Sequence, residues 1–375
     1  MAHAELKKAV LFSQQTVGFG ARRTGMVHWA HTLAKRGWDT KFVTVQLSWL
    51  SKLAGVERLK KIPSSAINAW RDVAPGLSGF VWCPVIHPAN FGPRWIDAWM
   101  GPLSCALYGP QLPRGILAAI EDADLIVIES CSAVALFETV KRHAPAAARL
   151  VYCASDRLQS VHMQPALTGI LAQTASDYDL IRIPAQSMAS DFPNPENVAH
   201  IPHGITKNQF DSAMASPYLS GRKTAIVAGD MKFDHDAFGD IVRDFPDLDI
   251  HLFGRMESTA YQSCNNVTVH GEVAFETLVP YIAHADIGIA PYVYEAGLEY
   301  LRESSLKLIQ YAYCKLPVIA PDFVDNGGSN MFTYGATDIA AAIQRALSCD
   351  RSKISRDGIL DWEDVIDQVL DKVGL

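Results

Sequence analysis

Short apolar runs alternate with helical patterns along the chain. A helical pattern near residues 25–36 ends at Gly37 and separates the first two runs. Such alternation is typical of a parallel β-sheet covered by helices. In the first half the apolar runs span residues 8–13, 41–46, 79–86, 124–130, 148–155, 180–185 and 198–203.

The pattern restarts after a polar stretch at residues 211–222, with runs at 224–231, 248–254, 266–273, 285–292 and 317–323. We therefore predict an α/β fold of two Rossmann-like, doubly wound domains that face each other across a cleft. Residues 1–205 form the first domain and residues 206–354 the second. Apolar periodicity near the end predicts a C-terminal helix within residues 355–375 that packs back onto the first domain.

Length and composition narrow the class of protein. A chain of 375 residues suits two domains, and 40 acidic against 33 basic residues give a net charge of -7, which argues against a nucleic-acid partner. The seven cysteines include no CxxC pair, so reduced thiols are expected instead of a disulfide framework or a zinc cluster. Neither a signal peptide nor a membrane-spanning run is evident, which predicts a cytoplasmic protein.

The stretch "ESSLKLIQYAYCKLPVIAP" at residues 303–321 predicts a helix start followed by an apolar strand. A helix beginning near Ser304 presents unpaired N–H groups and the positive end of its dipole, which favours an anion such as a diphosphate. Ser304, Ser305 and Lys307 would add hydroxyl donors and a full positive charge. The alternative is an ordinary helix cap followed by an exposed lysine.

Two aspartate motifs have competing interpretations. Asp156 in "LVYCASDRL" follows an apolar strand, where α/β sheets place their chemistry, and is a candidate general base. The alternative is that it caps a following helix. Asp234 and Asp236 have the Asp-x-Asp spacing of some metal sites, but their position just before a helix suits capping better, so we predict no metal there.

Six blocks in order, "VYCASDRL", "IPHGI", "GDMKFD", "HGEVAF", "IAHADIGIAPY" and "YLRESSLKLIQY", resemble the GumK-like family of bacterial glucuronosyltransferases in xanthan-type exopolysaccharide assembly. "RRTGMVHWAHTLAKRGW" fits the same family. The resemblance runs from about residue 8 to the last helix and is strongest over 148–320.

The resemblance implies a GT-B fold and an inverting, metal-independent enzyme with no cofactor. Such an enzyme moves glucuronate from UDP-glucuronate to a polyprenyl-diphosphate-linked oligosaccharide. It would be a peripheral protein at the cytoplasmic face of the bacterial inner membrane, on an anionic membrane surface. Gln310 stands where retaining GT-B enzymes carry a glutamate, which favours inversion.

Residue roles follow from the matched motifs. Asp156 looks like the general base. Arg22 and Arg23 are candidate contacts for the diphosphate or the acceptor. Leu306 replaces a methionine of the family, which leaves the donor sugar open. The candidate donor contacts are Met231, Glu272, Tyr292, Ser304, Ser305, Leu306, Lys307 and Gln310.

Residues 47–61 combine an apolar face, which includes Leu59, with four cations against the single acid Glu57. This profile is typical of an interfacial helix on anionic lipid. Trp95 and Trp99 are candidates for the same surface. The alternative is a helix packed on its own domain with a solvated basic face. The predicted membrane-facing residues are Trp49, Lys52, Leu53, Arg58, Lys60 and Lys61.

Three other functions stay open on the sequence. The donor could be another UDP-hexose, used by the same fold and mechanism. A sugar-nucleotide epimerase with a similar fold would need neither an acceptor nor a membrane surface. A non-catalytic nucleotide-sugar binding protein would have no activity that depends on Asp156.

Overall fold

A computed structural model of the protein describes residues 6–19, 25–50, 57–60, 62–90, 92–212, 215–219, 221–255, 261, 263–335 and 339–375. The chain divides into two compact units. Unit 1 contains residues 1–201 and 362–375, and unit 2 contains residues 202–361.

Unit 1 is built on an eight-stranded sheet in the order β3-β4-β2-β1-β5-β6-β7-β8. All neighbouring strands are parallel except β3, an edge strand that runs antiparallel to β4. The central strands are almost wholly buried because helices cover the sheet. The strands are β1 Lys8–Ser13, β2 Asp39–Thr44, β3 Trp70–Ala74, β4 Leu77–Val81, β5 Leu125–Glu129, β6 Arg149–Cys153, β7 Leu180–Ile183 and β8 Val198–His200.

The helices of unit 1 include one from the far end of the chain. This helix, α13, packs on α1 through a buried apolar face, and Trp362 stacks on His28 with ring centroids 5.1 Å apart. The helices are α1 Gly25–Lys35, α2 Glu57–Lys60, α3 Arg94–Tyr108, α4 Arg114–Glu121, α5 Phe137–His143, α6 Ala166–Thr174 and α13 Trp362–Val373.

Unit 2 has a fully parallel six-stranded sheet in the order β12-β11-β10-β13-β14-β15. A separate pair of short parallel strands joins β9 to β16. The strands are β9 Gly204–Ile205, β10 Thr224–Ala228, β11 Asp249–Phe253, β12 Val267–Gly271, β13 Ile287–Ile289, β14 Val318–Pro321, β15 Met331–Tyr334 and β16 Leu360–Asp361. The helices are α7 Lys207–Asp211, α8 His235–Asp244, α9 Phe275–His284, α10 Leu301–Ser304, α11 Leu306–Tyr313 and α12 Ile339–Leu347.

Helix α11 is fixed against the sheet by the side chain of Tyr311. The buried Tyr311 hydroxyl accepts the Ala228 N–H at 3.0 Å and donates to the Ile226 carbonyl at 3.3 Å. Gly288 allows this approach, since a Cβ there would lie 2.6 Å from the Tyr311 ring. The start of α11 is thereby held at a fixed place relative to β10 and β13.

The C-terminal helix occupies Trp362–Val373, within the predicted segment 355–375. Residues 355–359 form a turn, β16 follows, and the helix begins only at Trp362. The Asp361 carboxylate accepts the Lys207 N–H at 3.0 Å, which holds β16 on β9. Over the described part of the chain, no helix has the length and apolarity needed to cross a membrane.

Candidate functional site

Three neighbouring strands of unit 2 end in a glycine followed by a charged residue: Gly-Asp at 229–230, Gly-Arg at 254–255 and Gly-Glu at 271–272. All three glycines have positive φ, with values of 93°, 139° and 70°. At the middle position a Cβ would lie 3.2 Å from the backbone nitrogen of Asp230. Because parallel strands end at one edge, the charged side chains share the carboxyl edge of the sheet.

These charged residues restrain one another. The Arg255 N–H donates to the Asp230 carboxylate at 3.1 Å, and its guanidinium pairs with Glu272 at 3.2 Å. The Glu272 side chain is mostly buried, with an exposed fraction of 18%. The predicted donor contact Glu272 is therefore held in place by an arginine that the sequence analysis did not identify.

Two loops at this edge are joined by backbone hydrogen bonds. The Asp234 N–H donates to the Pro291 carbonyl at 2.9 Å, and the Val293 N–H donates to the Lys232 carbonyl at 2.8 Å. Lys232 also forms a 2.6 Å ion pair with Glu295. The exposed side chain of Met231 and the buried side chain of Tyr292 lie on these joined loops, one on each.

Asp234 caps α8, as predicted. Its carboxylate accepts the N–H groups of Asp236 and Ala237 at 3.1 and 2.9 Å. Within the described ranges no group of three or more His, Cys, Asp or Glu side chains is arranged to hold a metal ion.

The helix that was predicted to begin near Ser304 begins two residues later, at Leu306. Ser304 ends the short helix α10, is buried, and donates its hydroxyl to the Tyr300 carbonyl at 3.1 Å. Ser305 is the cap residue of α11, but its hydroxyl bonds the Tyr292 hydroxyl at 2.7 Å and makes no cap hydrogen bond. The alternative of an ordinary serine cap is therefore wrong, because Ser305 contributes to the first turn of α11 only its carbonyl, which accepts the Ile309 N–H at 3.1 Å.

Lys307 lies in this first turn, half-buried, with its ammonium 4.5 Å from the centre of the Tyr292 ring. Burial lowers the pKa of Lys307 from 10.5 to about 8, and the nearby Asp230 carboxylate opposes the shift. Among the described residues no carboxylate forms an ion pair with this ammonium. A partly desolvated cation beside a helix N-terminus is suited to an anionic ligand.

Two further residues of this region differ in their roles. The Arg302 guanidinium donates to the Glu299 and Phe323 carbonyls at 3.1 and 3.2 Å, so it braces the turn after β14. Gln310 lies one turn after Lys307 on α11, and its half-buried side chain makes no hydrogen bond within the described residues. Lys307 is therefore better placed than Arg302 to meet an anion.

In unit 1, Asp156 lies in the loop that follows β6. Its N–H donates to the Ser130 hydroxyl at 3.0 Å, and the Ser130 N–H donates to the Cys153 carbonyl at 3.0 Å. On the other side, Arg157 pairs with Asp191 at 2.7 Å. The loop is thus held at both ends, and the half-buried Asp156 lies at the carboxyl edge of the sheet.

The capping alternative for Asp156 is wrong. Residues 157–162 form turns, and the next helix, α6, begins at Ala166 with Pro165 before it. A buried acid that the sequence analysis did not identify, Glu129, ends the neighbouring strand β5 and accepts the Ser13 hydroxyl at 2.5 Å. In the sequence, Glu129 could have been identified as an acid within the otherwise apolar run "LIVIES".

The predicted membrane segment is only partly described. Trp49, Leu50 and Lys60 are exposed, whereas Leu59 is buried in a cluster with Leu47 and does not face solvent. For Arg58 only the backbone is described. Arg22, Arg23, Lys52, Leu53 and Lys61 lie outside the described residues.

Comparisons with known proteins give matches over nearly the whole chain. Residues 11–184 match the family model described as glucuronosyltransferase GumK, N-terminal domain, and residues 226–349 match glycosyl transferases group 1. A UDP-glucuronate:glycolipid 2-beta-glucuronosyltransferase of Xanthomonas campestris pv. campestris is 32% identical over 360 residues, which cover 94% of this chain and 87% of that protein.

Solved structures share the fold at low sequence identity. A sucrose-phosphate synthase from Thermosynechococcus elongatus is 14% identical with a TM-score of 0.65, over 97% of this chain and 98% of that one. A UDP-GlcNAc 2-epimerase from Methanocaldococcus jannaschii is 11% identical with a TM-score of 0.51, over 98% and 99% of the two chains. The shared architecture therefore does not separate transferases from epimerases.

Proposed function

The chain belongs to the GumK family of glucuronosyltransferases, and from this membership we propose that it transfers glucuronate from UDP-glucuronate to a glycolipid acceptor. It is a glycosyltransferase with the GT-B fold, as the sequence predicted.

The observation that carries the proposal is the environment of Lys307. It is half-buried beside the start of α11, which has no side-chain cap, and among the described residues its ammonium forms no ion pair, although the Asp230 carboxylate is near enough to act on its charge. A UDP-glucuronate donor supplies negative charge in both its diphosphate and its sugar carboxylate. In this proposal the lysine and the helix N-terminus provide the positive charge that the leaving diphosphate needs, so no metal cofactor is required.

The proposed donor contacts lie on the strand ends of unit 2 and on α11. Tyr292 and Met231 lie on the joined loops after β13 and β10, and Glu272 is held by Arg255 at the end of β12. Leu306 and Gln310 belong to α11 itself, as does Lys307. Ser305 acts by holding Tyr292 through the 2.7 Å hydrogen bond between their hydroxyls.

Asp156 is the proposed general base. It takes the proton of the acceptor hydroxyl as that oxygen bonds the anomeric carbon, and the bond from that carbon to UDP breaks on the opposite face. The configuration at the anomeric carbon is thereby inverted. The name of the Xanthomonas relative supports a glycolipid acceptor, and we assign the reaction to the cytoplasmic face of the inner membrane, where a lipid-linked acceptor would be presented.

The test is substitution of Asp156→Asn, measured by transfer of labelled glucuronate to a lipid-linked acceptor and by calorimetric titration with UDP. Loss of a general base should lower transfer roughly 10²- to 10⁴-fold and leave UDP affinity unchanged. Asp177→Asn, which changes a half-exposed acid of the same unit, is the matched control and should keep full activity. Equal loss of transfer and of UDP binding would reject the assignment of Asp156 as the base.

A further inference from the structure

Three glutamines lie at the carboxyl edge of the sheet in unit 1, where open α/β sheets place their ligand contacts. Gln14 and Gln15 follow β1, and Gln46 lies two residues after the end of β2. All three side chains are half-buried, and none of them makes a hydrogen bond within the described residues. Each amide can donate two hydrogen bonds and accept two, so this edge has hydrogen-bonding capacity that the fold does not use.

Gln46 has a backbone conformation that glycine adopts more readily. Its φ is 64°, in the left-handed region that side chains other than asparagine, aspartate and histidine seldom occupy. The Gln46 N–H donates to the Tyr108 hydroxyl at 3.2 Å, and this bond involves only the backbone of Gln46. The amide oxygen of Gln46 is buried and has no hydrogen-bond partner among the described residues. The turn therefore does not need a glutamine, and its amide is available to a ligand.

These glutamines lie beside the point where the strand order of the sheet reverses. Strand β1 has β2 on one side and β5 on the other. Open α/β sheets bind their ligands at the carboxyl ends of the strands that flank such a reversal. The buried Glu129 at the end of β5 fixes this edge, because its carboxylate accepts the Ser13 hydroxyl at 2.5 Å and the Gln14 N–H at 3.2 Å. The Ser13 hydroxyl in turn accepts the Gln15 N–H at 3.0 Å, so the backbone that carries both glutamines is held in place.

The charges at these strand ends are negative. Within residues 13–19, 44–50, 129–136 and 153–156 the charged residues are Glu129 and Asp156, both acids. A diphosphate or a sugar carboxylate would meet these two acids, and like charges brought together are unfavourable. Uncharged hydroxyl groups suit the amides, since a hydroxyl both donates and accepts. The edge therefore fits a neutral sugar better than an anion.

We propose that Gln14, Gln15 and Gln46 bind the terminal, uncharged sugar of the acceptor through hydrogen bonds between their amides and its hydroxyl groups. The inference rests on the proposed function for the presence of a glycan acceptor. Neighbouring strands lie about 4.8 Å apart, so the edge from β2 to β6 is roughly 14 Å long. The glutamine side chains extend over part of this length and a hexose ring over the rest, which brings a sugar hydroxyl to Asp156.

This subsite also limits how many sugars are added. After transfer the acceptor ends in glucuronate, whose carboxylate would lie against Glu129 and Asp156 if the product bound again at the same place. Unfavourable contacts of this kind exclude a competing ligand as effectively as favourable contacts select the correct one. The enzyme therefore adds one glucuronate to each acceptor and releases the product.

The first test measures steady-state kinetics of the full-length protein with a lipid-linked acceptor. Gln46→Gly, and separately Gln14→Met combined with Gln15→Met, should raise the acceptor KM roughly tenfold and keep kcat and UDP affinity within about twofold. Gln46→Gly should also keep or raise the melting temperature, because glycine adopts the left-handed backbone without strain. Gln209→Met is the matched control, since Gln209 of unit 2 is also half-buried with an amide oxygen that has no hydrogen-bond partner in the described structure. This control should behave as the unchanged protein does.

The second test uses sugars alone, in the presence of UDP. Saturation-transfer NMR compares the methyl glycosides of glucose, mannose and galactose with methyl glucuronoside. At least one uncharged glycoside should bind about tenfold more tightly than the glucuronoside, and Asp156→Asn should reduce this preference because it removes one of the two acids. With excess UDP-glucuronate, mass spectrometry of the product should show one added glucuronate.

The subsite and the proposed function can fail separately. Transfer of glucuronate with an acceptor KM that is unchanged in both glutamine variants overturns the subsite and leaves the proposed function intact. A lower melting temperature of Gln46→Gly with an unchanged acceptor KM assigns that glutamine to the fold and also overturns it. If the unchanged protein transfers no glucuronate but binds an uncharged glycoside, and both variants weaken that binding, the proposed donor is rejected and the subsite stands. Glucuronoside that binds as tightly as the uncharged glycosides contradicts the subsite.

Discussion

Lys307 illustrates how a single side chain acquires its chemistry from burial and not from its sequence position. A solvated lysine stays charged to a pH near 10.4, whereas burial lowers the pKa of Lys307 to about 8. A diphosphate or carboxylate bound beside it would favour the charged form. Ligand affinity and the charge of this residue are therefore linked.

This linkage predicts a pH dependence of donor binding. As pH rises through about 8 the free enzyme loses the Lys307 charge, so affinity for UDP-glucuronate should fall by up to tenfold per pH unit up to pH 9.5. Preference over UDP-glucose should shrink over the same range, since glucose carries no carboxylate. Calorimetric titration with both donors between pH 7 and 9.5 measures this effect.

The matched variant in that experiment is Lys307→Arg, which keeps its charge at every pH tested. The affinity of this variant for UDP-glucuronate should stay constant between pH 7 and 9.5, even if that affinity is lower than in the unchanged protein. A flat profile in the unchanged protein would contradict the assigned role.

The same pKa affects folding stability. Between about pH 8 and 10.5 the unfolded chain holds a proton at Lys307 that the folded protein lacks, so this group makes the free energy of unfolding rise with pH in that range.

At the scale of elements, the ends of neighbouring strands hold one another's loops. Ser130 after β5 accepts the N–H of Asp156 after β6, and the serine is itself 2% exposed. The serine has no direct part in the proposed chemistry. It is a positioning residue, because it fixes the backbone from which the proposed base projects.

Removal of this hydrogen bond should affect turnover and spare donor binding. Ser130→Ala leaves the Asp156 N–H without its acceptor, at a cost of about 1–3 kcal/mol. If this cost falls on the transition state, kcat should drop by roughly 5- to 150-fold. Ser132→Ala is the matched control, since that buried hydroxyl has no hydrogen-bond partner in the described structure. Steady-state kinetics that show a higher KM for UDP-glucuronate with an unchanged kcat would contradict the positioning role.

The sequence predicted elements better than it predicted their ends. Apolar runs identify the buried parallel strands because both faces of such strands are covered. The edge strand β3, "WRDVA", is half-exposed and polar, so no apolar run marks it. The start of α11 was misplaced because Ser305 bonds Tyr292, thirteen residues earlier, and that contact is non-local.

Part of the candidate site was predictable because apolar runs mark the strands that carry it. Strand-end residues such as Asp156 in unit 1 and Glu272 in unit 2 are visible in sequence because each follows an apolar run, at the carboxyl edge of its own parallel sheet. The partners that hold them, Ser130 and Arg255, come from other strands, and only the folded sheet brings them together. Leu59 was predicted on a membrane-facing surface and is instead buried against its own unit. A helical pattern alone cannot distinguish these two environments of a leucine.

At the scale of the whole molecule, unit 1 is discontinuous in sequence. Helix α13 contributes six buried apolar residues to it, among them Ile366, after the chain has passed through all of unit 2. Surface ion pairs accompany this packing, including one between Arg36 and Asp367. The buried face, and not the ion pairs, should supply the stability because exposed pairs contribute little.

We therefore predict that Ile366→Ala destabilises unit 1 by about 2–5 kcal/mol, through lost burial and the cavity left behind. Asp367→Asn, which breaks only the exposed pair, should cost less than about 1 kcal/mol. Urea unfolding of the full chain followed by tryptophan fluorescence measures the first, and UDP titration checks that unit 2 stays folded. Equal effects of the two substitutions would show that α13 is held by its charges.

The late position of α13 also sets an order for folding during synthesis. The ribosome releases α1 near the beginning of the chain, but the tryptophan that stacks on His28 emerges more than 300 residues later. Until then the apolar surface of unit 1 that α13 will cover stays exposed on the nascent chain, where it can bind chaperones or form unwanted contacts. Unit 2, which is continuous, can complete its core while unit 1 still waits for its last helix, so the unit made second finishes first.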